Sequence, residues 1–447
     1  MIRHPHVRAL LASMGAASLA HAAFALPGDV LVVSPTGPFT EIQAAIDASA
    51  DFDTILVKPF ATASSSYAAF TIDGRSLSIV GDSTPSLPVR VNGEMRIQNV
   101  ASNGMVVLGS LRGSATFNDM LALRTQANQG HLRIEACTLI GKYSGTGTTC
   151  ANVGADFDTQ FVGSMLSGAN GSAGVHFSAP GQTALYSSSP LLRLYGCTLN
   201  GGHSQAAFDD EHHPGASGGH GLMLVAGGAL VAGSTLQGGA GSDGGWGLFS
   251  GFTGNCSSPG PGGNGGNGIQ VGPASPPTAT PAAFTLESSM AGGAAGSGGP
   301  SECGGHAPHG QAGVPVKVDV GSWTPLSGDA RVLSGVPLAR EGGNLSLTLH
   351  GAPGDRAYVQ ITKIDASTLS LVAAGPGHDS VTRWDKPRTL YLGVIPPTGT
   401  LSVSVPVGTL EPTVESVWWS LRSLFFDTTG ALKHGNSFVV AIVDSSF

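Results

Sequence analysis

The sequence predicts an all-β chain, a parallel β-helix with an N-terminal capping helix followed by a small C-terminal β-sandwich. Three observations lead there. An eight-residue motif recurs at a lengthening interval. The segments between its copies hold short strand-like runs and no helical periodicity. The texture of the chain changes after about residue 322.

The repeat comes first. "IEACTLIG" (134–141), "FVGSMLSG" (161–168), "LYGCTLNG" (194–201) and "VAGSTLQG" (231–238) align without gaps. Their pattern is apolar-x-small-(Cys/Ser)-(Thr/Met)-Leu-x-Gly. "VVLGSLRG" (106–113) is a looser earlier copy, and "LESSMAGG" (286–293) a later one that is one residue short. Equivalent positions fall at 109, 137, 164, 197, 234 and 288, at intervals of 28, 27, 33, 37 and 54. A unit near 27 residues that grows by insertion marks a solenoid. Its triplets, such as "ILV" (55–57), "SIV" (78–80) and "LRI" (132–134), are strand-length and bounded by turn residues. One coil of short strands cannot bury its own apolar face, so stacked coils must build the core.

Ahead of the first strand, Thr40 with Gln43 three residues later has the spacing of a capping box. Phe39, Ile42, Ala45 and Ile46 then share one helical face. Such a helix can cover the open strand edge at the start of a solenoid.

At these residues a family resemblance appears. "FTEIQAAIDAS", "DTILVKP" and "SLSIVGD" resemble the opening of right-handed parallel β-helix proteins of the pectin-lyase-like superfamily. The resemblance covers residues 38–82, and the later repeats by pattern only. It implies a right-handed coil. It implies no single activity, because the superfamily holds pectate lyases, pectin esterases, polygalacturonases, epimerases and surface proteins.

Composition bounds the partners. Only 11% of residues are charged, against about 25% in ordinary soluble domains. Arg3 and Arg8, an apolar stretch over 9–20 and small-x-small sites before residue 26 read as a secretory signal peptide, residues 1–25. That segment is too short to span a bilayer, and no transmembrane segment follows it. Removing its two arginines takes the formal net charge from −8 to −10, which argues against a nucleic-acid partner.

Each motif copy ends in glycine, and a glycine-rich stretch follows: 141–158, 168–174, 201–221, 238–268 and 292–313. Leaving the rung at one point, these stretches should emerge on one side, stacked at about the 4.8 Å strand spacing. Export permits disulfides. Cys137 and Cys197 share a repeat position but lie two rungs apart, about 9.6 Å, beyond the ~7 Å Cα limit of a disulfide. They are expected to be buried and unbonded. Cys256 and Cys303 lie in consecutive insertions and are expected to bridge, which leaves Cys150 alone.

Residues 26–322 are thus assigned to the β-helix and 323–447 to the sandwich. In the latter, "NLSLTLHG" (344–351) and "TLSVSVPV" (400–407) alternate like half-buried strands. Of Trp418 and Trp419, one ring is expected in the core and one near the surface.

Polar side chains concentrate in "FDDEHHPGASGGHG" (208–221), inside the interval of 37. Three readings compete. Asp209-Asp210 and Gly219-His220-Gly221 are similar to two motifs of polygalacturonases, which would make Asp209 and Asp210 the acid and base and His220 their assistant. Two departures stand against that: no Asn-Thr-Asp precedes the pair and no Arg-Ile-Lys follows it. Alternatively His212 and His213, with His306 and His309 from "CGGHAPHG", supply imidazoles for a divalent metal such as zinc. The third reading is a solvated insertion. The expectation is a secreted or cell-surface, non-enzymatic solenoid with a polysaccharide as ligand. A polysaccharide hydrolase or lyase using Asp209, Asp210 and His220 is the alternative. Oligomeric state is not legible.

Overall fold

The computed structural model describes residues 28–447 apart from 83–86, 117–120, 143–148, 155, 157, 172–177, 207–212, 251–254, 273–279 and 365–386. The expected signal segment lies outside these residues.

The chain is a parallel β-helix followed by a β-sandwich. Ten strands from Val30–Val33 to Ser322–Leu326 stack in parallel to form the first face. Short strands such as Thr138–Ile140 and Thr198–Asn200 form a second face. Strands such as Thr149–Val153 and Ile269–Val271 form a third. The last two faces share the long strand Val89–Gln98, whose start pairs with Leu111–Ser114 and whose end pairs with Leu123–Gln126.

The repeat motif now has a physical reading. Between first and second face each rung turns through one left-handed residue: Ser110, Ala136, Gly163, Gly196, Gly233 and Glu287, with φ between 44° and 59°. Glycine adopts that conformation without a Cβ clash, hence the Gly at Gly163, Gly196 and Gly233. The Cys or Ser that follows forms a ladder between rungs. Ser164 Oγ accepts from Cys137 N at 3.2 Å, and Ser234 Oγ from Cys197 N at 3.0 Å. The motif leucines, Leu139, Leu166, Leu199 and Leu236, are wholly buried in the solenoid core.

Two expectations need correction. Residues 106–113 belong two positions further along: Leu108 pairs with Ile134, and Arg112 with Thr138, so Leu111 fills the slot of Cys137. The shift is even, so the same side chains still face inward. The capping box does not form. Helix Ile42–Ala48 starts after Glu41 without a side-chain cap, because Gln43 Oε1 accepts from Thr71 N at 2.8 Å on a neighbouring strand. The predicted apolar face is intact: Ile42, Ala45 and Ile46 are buried and Phe39 packs against the same core.

Cys137, Cys150 and Cys197 are buried free thiols, and burial pushes each up to about 12. Thiolate is the reactive form. A thiol reagent at pH 8 is therefore expected to label none of the three in the native protein and all three in denaturant. Native labelling of Cys137 or Cys197 would contradict the interior ladder.

The sandwich has a three-stranded and a five-stranded sheet. It does not sit on the end of the solenoid but lies along its first face. Leu338, Ile364, Trp418, Val439 and Val443 of the five-stranded sheet pack with Val30, Leu56, Val80, Met105 and Val107. Further along, Val162, Tyr195, Leu230 and Ala232 join the sandwich's own core. Trp418 is buried and donates from Nε1 to Thr54 Oγ1 at 3.0 Å, while Trp419 is only half-buried. This coverage explains why strands such as Met105–Gly109 and Asp158–Val162 are buried at every residue. Their inner positions face the solenoid core and their outer positions face the sandwich.

Between the two apolar patches runs a buried polar band on the outer side of the first face. Asp158 Oδ2 is 2.8 Å from Arg133 Nη2 and 2.8 Å from His131 Nδ1, and its Oδ1 is 2.7 Å from Arg193 Nη1. Glu135 Oε1 accepts from Val439 N at 2.7 Å, and Gln160 Nε2 donates to Ser437 O at 2.8 Å. The band fixes the position of strand Leu432–Val443 on the solenoid.

Candidate binding groove on a glycine-rich wing

The glycine-rich insertions do emerge on one side, and they are not loose. Each leaves the second face as an outgoing segment and returns to the third face as another. In 238–247, the amides of Gly238, Gly241, Gly244 and Gly247 donate to Ala291, Ala294, Ser297 and Pro300 of the next outgoing segment, at 2.9 Å each. The amides of Gly239, Ser242 and Gly245 donate instead to Gly219, Ala216 and His213 of a returning segment, at 2.8, 3.0 and 2.8 Å. Donors thus recur every third residue in each direction. That is the repeat of the threefold, internally unbonded polyproline II helix.

The returning segment 260–268 repeats the scheme. Gly260, Gly263 and Gly266 donate to Gly245, Ser242 and Gly239, while Gly262, Gly265 and Gly268 donate to Pro308, Gln311 and Val314. The result is a two-layered wing of extended chains, parallel within a layer and antiparallel between layers. Its glycines are sterically required. A Cβ on Gly263 would lie 1.9 Å from Ala216 O, and one on Gly239 1.9 Å from Gly202 O.

The third amide of each turn faces outward and needs another partner. Proline removes the donor at Pro214, Pro261, Pro300 and Pro308. At several others a side chain of the preceding rung accepts it. Asn170 Oδ1 takes His203 N, His203 Nδ1 takes Ala240 N, and Asp243 Oδ1 takes Ser297 N. On the returning layer His220 Nδ1 takes Asn267 N at 2.9 Å, Asn264 Oδ1 takes Gln311 N, and Asn267 Oδ1 takes Val314 N. At the tip, Cys256 and Cys303 of the two longest insertions are disulfide-bonded across a sequence separation of 47. In the chain-entropy picture that closure is worth about 4 kcal/mol.

This scheme decides what the predicted site residues do. His220 and His309 spend Nδ1 as acceptors, His309 from Gly298 N at 3.1 Å. His213 is half-buried in a returning segment, and His306 is exposed. Among the described residues, no three His, Cys, Asp or Glu side chains gather where they could hold a metal ion. Asp209, Asp210, Glu211 and His212 lie outside the described residues.

His220 instead lines a groove of about 490 Å³ where the returning layer meets the third face. Met223, Gln270 and Lys317 form its rung side, one residue per rung. Asn264 and Gln311 form its wing side. A hydrogen-bonded line crosses the floor. Asn267 Nδ2 donates to Gln270 Oε1 at 2.6 Å, Gln270 Nε2 donates to Asp319 Oδ2 at 2.5 Å, and Lys317 Nζ is 3.4 Å from Asp319.

Burial, then the charge of Lys317, holds the His220 imidazole below its ordinary pKa, with Asp319 opposing. A base with a lowered folded pKa gives its full contribution above the unfolded value, about 6.5, and loses it as pH falls. Stability is therefore expected to decline from about pH 6.5 downward by a component that His220→Asn removes. Asparagine keeps an acceptor, as Asn264 does one segment on. Urea midpoints across pH 5–7 in both proteins check this; an identical pH slope would contradict the acceptor role.

No protein-family model matches the chain, and no curated protein is similar to it. The sequence missed the wing and the buried band. The signal for the wing was present: glycine with a period of three, and Pro, Asn or His at the remaining position.

Proposed function

We propose that the protein is an exported, extracellular or cell-surface binding protein of pectin-lyase-like ancestry, and that its groove takes a linear polysaccharide. The observation that carries this is the composition of the groove. It runs across rungs and presents amides, an imidazole and a thioether, with one carboxylate among the described residues, Asp319, held by Gln270 and Lys317. Amides set at the rung spacing suit the hydroxyls of successive sugar units. Glycoside hydrolysis calls for a pair of carboxylates flanking the bond, and among the described residues this groove has one.

Calorimetric titration with neutral and acidic polysaccharides tests the reading. Gln311→Ala removes an exposed wing amide and is expected to weaken binding about fivefold, the worth of one hydrogen bond. Unchanged affinity in Gln311→Ala and Asn264→Ala would reject the groove. Release of reducing ends from polyuronides that Asp209→Ala and Asp210→Ala both abolish would replace binding by hydrolysis.

A further inference from the structure

We propose that the exit end of the solenoid docks a second copy of this chain, tail to tail, by antiparallel pairing of residues 317–319 with themselves about Val318. This goes beyond the binding reading and does not depend on it. The two ends of the solenoid differ. Helix Ile42–Ala48 packs on the first strands at the entry end, so that end is closed. At the exit end, Val316–Val318 and Ser322–Leu326 are terminal strands of their sheets, each paired on one side. Val318, Val320, Trp323 and Leu326 are 42%, 37%, 39% and 41% exposed there. The sandwich packs along the first face. An apolar strand edge left open in this way is a template for pairing.

The strand itself names the occupant. Ile269 N donates to Pro315 O and Asp319 N to Val271 O, so residues 315 and 319 turn their backbone toward the preceding rung. By strand alternation, the backbone groups of Val316 and Val318 point to the free edge, whereas Val320 N turns back to Val271 O at 3.4 Å and ends the edge at Asp319. The sequence from 316 is Val-Lys-Val-Asp-Val, which is charge-complementary to its own reverse. A twofold axis at Val318 sets Val318 opposite its own copy as a hydrogen-bonded pair. Lys317 then faces Asp319 of the partner subunit in a non-hydrogen-bonded pair, where side chains come closest, Cα atoms about 4.5 Å apart. Both symmetry-related pairs form, and the valines extend the core from one copy into the other. Because one end is closed, the contact is isologous and stops at two copies.

Sedimentation of the full chain tests this. The wild type is expected to be a dimer at micromolar concentration. Lys317→Asp sets Asp against Asp at both pairs and is expected to raise the dimer dissociation constant about tenfold or more. The double variant Lys317→Asp/Asp319→Lys reverses both charges and is expected to restore the dimer. Val318→Pro removes an amide that faces the free edge and is expected to give a folded monomer by circular dichroism. A monomeric wild type, a dimer indifferent to Val318→Pro, or a folded double variant that stays monomeric would each overturn the proposal. Polysaccharide titration of the Val318→Pro monomer keeps this outcome separate from that of the groove.

Discussion

Gly263→Ala is expected to destabilise the wing by about 3 kcal/mol or more, a large effect for one methyl group. The new Cβ would sit 1.9 Å from Ala216 O and 2.6 Å from Ala216 C, both backbone atoms that cannot rotate away. Relief requires the two layers to separate. That endangers the bonds from Gly263 N to Ser242 O and from Gly296 N to Gly263 O, both 2.8 Å. The situation resembles the collagen axis, where only glycine fits. Gly408→Ala is the matched control. Nothing lies within 4 Å of its added Cβ and its φ is not left-handed, so the change is expected to be neutral or slightly stabilising. Urea midpoints of both variants check the contrast. A Gly263→Ala protein as stable as the Gly408→Ala protein would mean the layers are not in contact.

Asp158→Ala is expected to cost about 3–5 kcal/mol, because it removes the carboxylate that two buried guanidinium groups share. Burial by itself raises the Asp158 pKa, but the charges of Arg133 and Arg193 and the His131 bond outweigh it and hold the carboxyl well below the usual range. For an acid with a lowered folded pKa, the stabilisation is present above the unfolded value of about 3.9 and is lost as pH falls below it. The wild type should therefore lose stability on acidification below about pH 4, a component that Asp158→Ala lacks. Replacing Asp158, Arg133 and Arg193 together by apolar residues of similar size is expected to recover most of the loss. If the triple replacement is worse than Asp158→Ala alone, the cost lies in something other than uncompensated charge.

Much of this architecture is legible in the chain. The aligned motifs carry the rungs, and the lengthening intervals carry the one-sided insertions. The buried face of Ile42, Ala45 and Ile46 carries the entry cap. Other features were hidden for physical reasons. His131, Arg133 and Asp158 occupy outward strand positions, where charge normally means solvent. Only the tertiary position of the sandwich turns them into a buried cluster. Thr40 and Gln43 fit a capping box locally, but the stronger demand of Thr71 N on a facing strand claims Gln43. The polar stretch 208–221 drew attention through its side chains, whereas Gly215, Gly218 and Gly221 carry the structural role there by donating to the neighbouring segment. His220 belongs to that scheme as an acceptor and enters the groove from it.

Hydrogen exchange over residues 238–314 tests the central claim, that the insertions form a hydrogen-bonded two-layer wing on which the groove is built. The amides of Gly239, Ser242, Gly245, Gly263 and Gly266, which bridge the layers, are predicted to exchange as slowly as those of the first-face strands. Exchange of these amides at the rate of an unstructured chain, with the rung strands still protected, would contradict it.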